Sequence, residues 1–145
     1  MLSPILFALT LSASLGSHVA YVGGTRPDLS QGCDGVIDSS DETYLVFFSK
    51  TSNFRVPYEK VNLLEYGQNV SRRYMLALTI SPMFFMAKKR RHFLTIGYQD
   101  EYGKQQAVLF RVEKSDIRAV LVTLEARTGL RVEYQDEEAR QAPKG

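Results

Sequence analysis

The spacing of hydrophobic residues changes along this chain, from the short runs typical of strands to the spacing of an amphipathic helix. Between His18 and Val112 the apolar and β-branched residues form short runs separated by Gly, Pro, Asn, Asp and Ser. Runs of this kind predict strands. The predicted strands are His18–Val22, Val36–Ile37, Thr43–Lys50, Phe54–Pro57, Val61–Tyr66, Phe93–Tyr98 and Gln106–Val112, and a further short strand or extended tail is expected at Leu130–Tyr134.

One amphipathic helix is predicted after these strands. From Asp116 onward the apolar positions have helical spacing, at Ile117, Val120, Leu121 and Leu124. Ser115 suits the N-cap, and Gly129 suits the residue just after the helix. We expect the apolar stripe of this helix to pack against the sheet.

These elements predict a mainly β (α+β) fold, a small antiparallel barrel or sandwich of about six to seven strands with one C-terminal helix. The length of 145 residues fits one domain, and 44% hydrophobic with 23% charged residues indicates a globular chain. We assign residues 17–135 to this domain and residues 136–145 to a polar tail.

The first sixteen residues have the layout of a signal peptide. Leu2–Leu15 contains no charged side chain, and Ser14 and Gly16 are small residues at the positions that precede a cleavage site. The usual Lys or Arg before the apolar run is missing. The alternative is a buried strand or helix at the start of the domain. The signal peptide predicts an exported protein, periplasmic or secreted.

Parts of the chain resemble a known domain type. Gly35–Asp38, Thr43–Phe47 and Val56–Val61, followed by the late helix, resemble a bacterial pleckstrin-homology-like (GRAM-like) domain. Residues 20–133 are also similar to a group of uncharacterised bacterial proteins, through Tyr21–Thr25, Leu64–Gln68 and Leu124–Gly129. The resemblance implies a small barrel capped by a helix. As a class such domains bind lipid head groups or proteins, and the resemblance implies no specific activity.

An uncharged apolar tract, Tyr74–Met86, interrupts this pattern and has cations at both ends. Arg72 and Arg73 precede the tract, and Lys88, Lys89, Arg90 and Arg91 follow it. Its 13 residues fall short of the roughly 20 that a spanning helix needs, and Pro82 would break such a helix. The tract therefore either enters a membrane interface or packs inside the domain.

Each reading of the tract makes a different prediction. On a membrane, Met83, Phe84, Phe85 and Met86 would enter the interface while the flanking cations meet anionic lipids. As core, Met75, Leu76, Leu78 and Ile80 would form a strand or helix of the barrel. A soft Met-Phe-Phe-Met surface could also contact a protein partner. Nucleic acid is an unfavoured partner, because the aromatic residues stand beside the cations and are not interleaved with them.

No motif in the chain predicts catalysis. The histidines are His18 and His92, and no His, Cys, Asp or Glu set has metal-ligand spacing, so no metal, cofactor or catalytic residue is predicted. The single Cys33 cannot form an intrachain disulfide and is expected near a turn. We therefore expect a non-enzymatic binding module for an anionic membrane surface or an envelope component, with protein–protein interaction as the alternative.

Overall fold

The computed structural model of the chain describes residues 16–26, 28–69, 79–80 and 91–144. These residues form a mainly β fold. The strands are β1 (Gly16–Gly24), β2 (Cys33–Asp38), β3 (Tyr44–Ser49), β4 (Asn53–Pro57), β5 (Val61–Gly67), β6 (Thr79–Ile80), β7 (His92–Gln99), β8 (Gln105–Val112) and β9 (Glu133–Tyr134). The helices are α1 (Ile117–Thr128) and α2 (Glu137–Gln141), and short 3-10 turns span Tyr58–Lys60 and Ala142–Lys144.

The described strands form one mixed sheet around β1. Eight of them follow the order β4-β3-β2-β1-β8-β7-β5-β9, and β6 pairs with β1 outside this row. All pairs are antiparallel except β5 with β9. β1 to β4 are a meander, and β5, β7 and β8 are a second meander that joins the first through the β1–β8 pair.

The core lies on one side of this sheet and includes both helices. Four aromatic rings meet near its centre, with Phe47 5.3 Å from Phe110 and 5.5 Å from Phe54, and Tyr21 6.0 Å from Phe110. The buried residues of α1, Ile117, Val120, Leu121 and Leu124, belong to the same cluster, as the helical spacing predicted. Gly129 ends α1 with a φ of 73°.

Several predictions about individual elements need correction. The structure has two short helices where the sequence predicted one, because α2 lies in the predicted polar tail. The Asp136 side chain caps α2 by accepting from the Ala139 N–H (2.7 Å), and Ala139 is buried. The predicted N-cap of α1, Ser115, is one residue early, since Asp116 holds that position.

The two halves of the sheet differ in how many faces are buried. β3 and β4 alternate between buried and more exposed residues, and β2 has a single buried residue, which is typical of a sheet with one solvated face. In contrast, consecutive residues are buried in the middle of β7 and β8 and at the ends of β1 and β5. This half of the sheet is therefore buried on both faces.

Candidate binding site at the neck between β5 and β7

The structure describes Arg91 alone among the residues predicted to bind lipid or anions. Outside the described residues lie Arg72, Arg73, Lys88, Lys89 and Arg90, and also Met83, Phe84, Phe85 and Met86. Arg91 is half-buried and immediately precedes β7. Its Nε is buried with no hydrogen-bond partner, so this guanidinium is not held by an acidic side chain at that atom.

The two ends of the segment that contains these residues meet in the sheet. Tyr66 pairs with Leu94 and Gly67 pairs with Phe93, and we call these four residues the neck. Arg72 and Lys88 are five residues along the chain from Gly67 and Phe93 respectively. The described ends of the segment that contains the predicted cations therefore meet at one end of the sheet.

The C-terminal part of the chain fixes the neck. A Cβ on Gly67 would overlap the Gln135 side chain, so only glycine leaves room for this contact. The Gln135 backbone N–H donates to the Tyr66 carbonyl (3.0 Å). Its side-chain Nε2 donates to the carbonyl of Asn69 (3.0 Å) and to a carboxylate oxygen of Glu65 (3.3 Å). These bonds hold the chain where it leaves β5.

A tyrosine–histidine pair lies beside the neck. The Tyr66 hydroxyl and His92 Nδ1 are 2.5 Å apart, and the two rings stack. Burial lowers the pKa of His92, and the positive charge of Lys114 lowers it further. Burial, with the nearby Tyr134, raises the pKa of Tyr66 to about 12. The pair therefore favours a neutral imidazole bonded to a neutral phenol.

The middle of the apolar tract is attached to the opposite side of the sheet. Thr79 and Ile80 form β6, which pairs with Gly24 and Gly23 of β1. The same two glycines pair with Val108 and Leu109 of β8. Since a strand has two edges, β6 must lie on the edge of β1 that faces away from β8. Two residues of the tract, Thr79 and Ile80, therefore belong to the sheet.

An open groove of about 560 Å³ lies next to the neck, on the outside of β1, β2, β3 and β8. Its lining contains the cations Lys50 and Arg111, the carboxylates Asp34 and Glu113, and the imidazole of His18. Phe48 adds an aromatic side chain that is 46% exposed. Arg111 pairs with Phe93 of the neck and, on its other side, with Ala20. The groove and the neck are therefore neighbours in the sheet.

A second polar cluster, at the far end of the sheet, was not predicted. Arg26 donates from Nε to Asp28 (2.9 Å), and its guanidinium lies 5.3 Å from the centre of the Phe54 ring. This hydrogen bond lowers the pKa of Asp28, and burial raises the pKa of the adjacent Tyr21. In the sequence these residues indicate no more than a Pro- and Asp-containing loop. The contact between Arg26 and Phe54 holds the loop between β1 and β2 against β4.

The described residues hold no group of three or more His, Cys, Asp or Glu side chains that could bind a metal ion. Within the same residues, no helix combines the length and the apolar character needed to cross a membrane. Cys33 starts β2 as a half-buried free thiol directly after the turn at Gln31–Gly32, so it lies near a turn as the sequence predicted.

Comparison with known proteins gives no family assignment: neither the protein-family models nor the curated proteins contain a match to this chain. The resemblance to pleckstrin-homology-like domains therefore stays a prediction from sequence. The functional argument depends on the geometry of the neck and on the charges around it.

Proposed function

We propose that this protein is a non-catalytic binding module that engages an anionic membrane surface through the cations around the neck. The observation that supports this proposal is the pairing of Gly67 with Phe93. This pair joins the two ends of the segment that contains the cationic clusters Arg72–Arg73 and Lys88–Arg91, which are 15 residues apart in the sequence. Each cation near an anionic surface contributes about 1 kcal/mol, so several must act at one place to give useful affinity.

The described cations add to this charge. Arg91 immediately precedes β7, and Arg111 is paired through the backbone with Phe93. Lys114 is close enough to His92 to lower its pKa. The groove beside the neck also contains Asp34 and Glu113, which weaken the local positive potential. We therefore place the membrane contact at the neck and not in the groove.

We further propose that the fold is a pleckstrin-homology-like barrel. The support for this assignment is the order of the strands. A meander of β1 to β4 is followed by a meander of β5, β7 and β8, and the pairing of β1 with β8 joins the two. α1 follows the last of these strands and adds its apolar stripe to the core. Domains with this architecture serve many functions, so the architecture by itself names no ligand.

The export of the protein remains part of the proposal. The predicted leader, residues 1–16, ends at Gly16, which is the first residue of β1 and pairs with Asp38. Cleavage after Gly16 would remove one residue from β1. The pairing of β1 with β2 would then begin at Ser17 and would otherwise be preserved. The N-terminal residue of the protein isolated from its host tests this point: Ser17 supports export through a cleaved leader, and Met1 contradicts it.

Co-sedimentation with liposomes tests the membrane proposal. The protein is mixed with neutral vesicles and with vesicles that contain anionic phospholipid, at low and high salt. The test variant is Lys88→Glu/Arg90→Glu. The control is Lys60→Glu/Lys104→Glu, which makes the same change in net charge at exposed positions. Both control residues lie at the end of β5, β7 and β8 that is remote from the neck.

We expect binding to the anionic vesicles alone, with loss at high salt because the interaction is screened. The test variant should bind at least about tenfold more weakly, since it replaces two attractive charges by two repulsive ones. The control variant should bind like the unmodified protein. If the test and control variants lost binding equally, the binding would depend on net charge alone and not on the cations around the neck. If the unmodified protein did not bind any vesicle, the membrane surface would be rejected as ligand and a protein partner would be favoured.

A further inference from the structure

The open groove on β1, β2, β3 and β8 has no part in the proposed membrane contact. Its volume of about 560 Å³ lies within the range of ~300–1,000 Å³ that is typical of sites for small ligands. Val19 and Phe47 belong to the core cluster, so the next residues of their strands, Ala20 and Phe48, lie on the opposite face of the sheet and line the groove. The sheet itself therefore forms the floor of the groove.

The strand pairing arranges the groove residues in two rows across the sheet. Ala20 pairs with Asp34 on one side and with Arg111 on the other. Lys50 continues this row beyond Asp34, because the preceding residue of β3 pairs with the following residue of β2. The first row is thus Lys50, Asp34, Ala20 and Arg111, and the second row is Phe48, Val36, His18 and Glu113.

The charged side chains of the groove do not neutralise one another. Within the part of the chain that the structure describes, no ion pair or hydrogen bond joins the side chains of Asp34, Lys50, Arg111 and Glu113 to another side chain. Arg111 is half-buried, and burial of a cation without a partner costs free energy. The groove therefore offers cations and carboxylates to a ligand that has both signs of charge.

The spacing of the first row fits a short peptide. Asp34 and Arg111 are on β2 and β8, which are two strand spacings apart, or ~9.6 Å at ~4.8 Å per spacing. An extended peptide rises ~3.3 Å per residue, so about three residues span this distance. Ala20, between the two charged residues, has a short side chain that leaves room for a peptide backbone.

We propose that the groove binds a short zwitterionic peptide of about three residues, with its N-terminal ammonium group at Asp34 and its C-terminal carboxylate at Arg111. A guanidinium can bind a carboxylate through two parallel hydrogen bonds, so Arg111 makes the stronger of the two contacts. The two cations and two carboxylates of the groove balance, which favours a zwitterion over an anion or a cation.

Phe48 provides a contact for the first side chain of the peptide. Phe48 is 46% exposed and lies in the second row, one strand and two residues from Asp34. An aromatic side chain on the N-terminal residue of the peptide can therefore pack against the Phe48 ring, and aromatic pairs of this kind are favourable. This site is separate from the membrane contact at the neck and does not depend on it.

Isothermal titration calorimetry of the full-length protein tests the proposal. The probes are phenylalanyl-alanyl-alanine with both termini free, its N-acetyl form, its C-terminal amide, and trialanine. The test variants are Asp34→Asn, Arg111→Gln and Phe48→Ala. The matched controls are Glu101→Gln and Lys104→Gln, which make the same changes of charge at exposed positions in the turn between β7 and β8, at the opposite end of β8 from Arg111.

We expect the free tripeptide to bind, the N-acetyl form to bind about fivefold more weakly, and the amide to bind about tenfold more weakly. Asp34→Asn should weaken binding of the free tripeptide and leave binding of the N-acetyl form unchanged. Arg111→Gln should weaken binding of the free tripeptide and leave binding of the amide unchanged. Phe48→Ala should remove the preference over trialanine, and both control variants should bind like the unmodified protein.

Absence of binding by the free tripeptide, or equal binding of the free and blocked forms, would overturn the proposal. Equal weakening of all the peptides in Asp34→Asn would also overturn it, because the carboxylate would then not act on the ammonium group. Asp34 is exposed, so this test stands even where Arg111→Gln fails to fold. Lys88→Glu/Arg90→Glu should bind the free tripeptide like the unmodified protein, so failure of the liposome experiment and failure of this one are distinguishable.

Discussion

Two buried tyrosines test the hydrogen bond beside the neck, because the hydroxyl group of one has a hydrogen-bond partner and that of the other has none. Tyr66 is 0% exposed, and its hydroxyl is hydrogen-bonded to His92. Tyr21 is 1% exposed, and its hydroxyl is buried with no partner. Replacing either residue by Phe removes one oxygen and preserves the ring. Tyr66→Phe should therefore destabilise the protein, whereas Tyr21→Phe should be neutral or stabilising.

The expected size follows from hydrogen-bond energetics. A hydrogen bond between uncharged groups contributes a net ~1 kcal/mol to stability, and the deletion leaves His92 Nδ1 without this partner. We expect Tyr66→Phe to lower the free energy of unfolding by about 1–2 kcal/mol, since the half-buried imidazole can partly turn to water. Tyr21→Phe removes an unpaired buried hydroxyl, whose desolvation already opposes folding, and should raise stability by up to about 1 kcal/mol.

Urea unfolding followed by far-ultraviolet circular dichroism measures both effects, since the chain has no tryptophan for fluorescence. The two variants should therefore differ by about 1–3 kcal/mol, which at roughly 3 °C per kcal/mol for a chain of this size separates their melting temperatures by about 3–9 °C. Tyr58→Phe is a second control, because the Tyr58 hydroxyl is also buried without a partner. Equal destabilisation in Tyr66→Phe and Tyr21→Phe would refute the assignment of a structural hydrogen bond at the neck.

Two further predictions concern pH and helix termination. The pKa of His92 is lower in the folded protein than its value of about 6.5 in the unfolded chain, so the unfolded chain binds a proton at His92 more readily. The free energy of unfolding should therefore fall as the pH drops from about 7 through 6.5 and below. Urea midpoints at pH 7.5 and 5.5 measure this fall, and an unchanged fall in His92→Asn would contradict it. Gly129 has a φ of 73°, so Gly129→Ala should cost ~1 kcal/mol by forcing a Cβ into the left-handed region. A urea midpoint equal to that of the unmodified protein would contradict this assignment.

Elements with a strong local pattern could be predicted from the sequence. β3, β5, β7 and β8 have enough β-branched and aromatic residues to be recognised in isolation, and α1 has clear helical spacing. In each case the local preference and the tertiary structure agree. The predicted mainly β class is confirmed for this reason.

Other features depend on contacts that a local pattern does not contain. β6 is two residues long and exists through its pairing with Gly23 and Gly24, which are more than fifty residues away. α2 is short and polar, so its sequence has no helical spacing of apolar residues. The features that mark it as a helix are the N-cap Asp136 and the single buried residue Ala139. Phe93–Tyr98 is buried on both faces of the sheet, which its local pattern does not indicate. Arg91 is the single predicted site residue that the structure describes, so the cationic site stays a prediction.

The proposed contact through cations and a contact through the apolar tract respond differently to salt. Attraction between cations and anionic lipids is screened by salt, whereas an apolar contact is not. Lys88→Glu/Arg90→Glu should therefore reduce binding to anionic vesicles at low salt and flatten its salt dependence. Phe84→Ser/Phe85→Ser should leave the salt dependence unchanged, and co-sedimentation over a series of salt concentrations measures both variants. A salt dependence that is flattened by the Phe variant and kept by the charge variant would contradict a contact made by the cations.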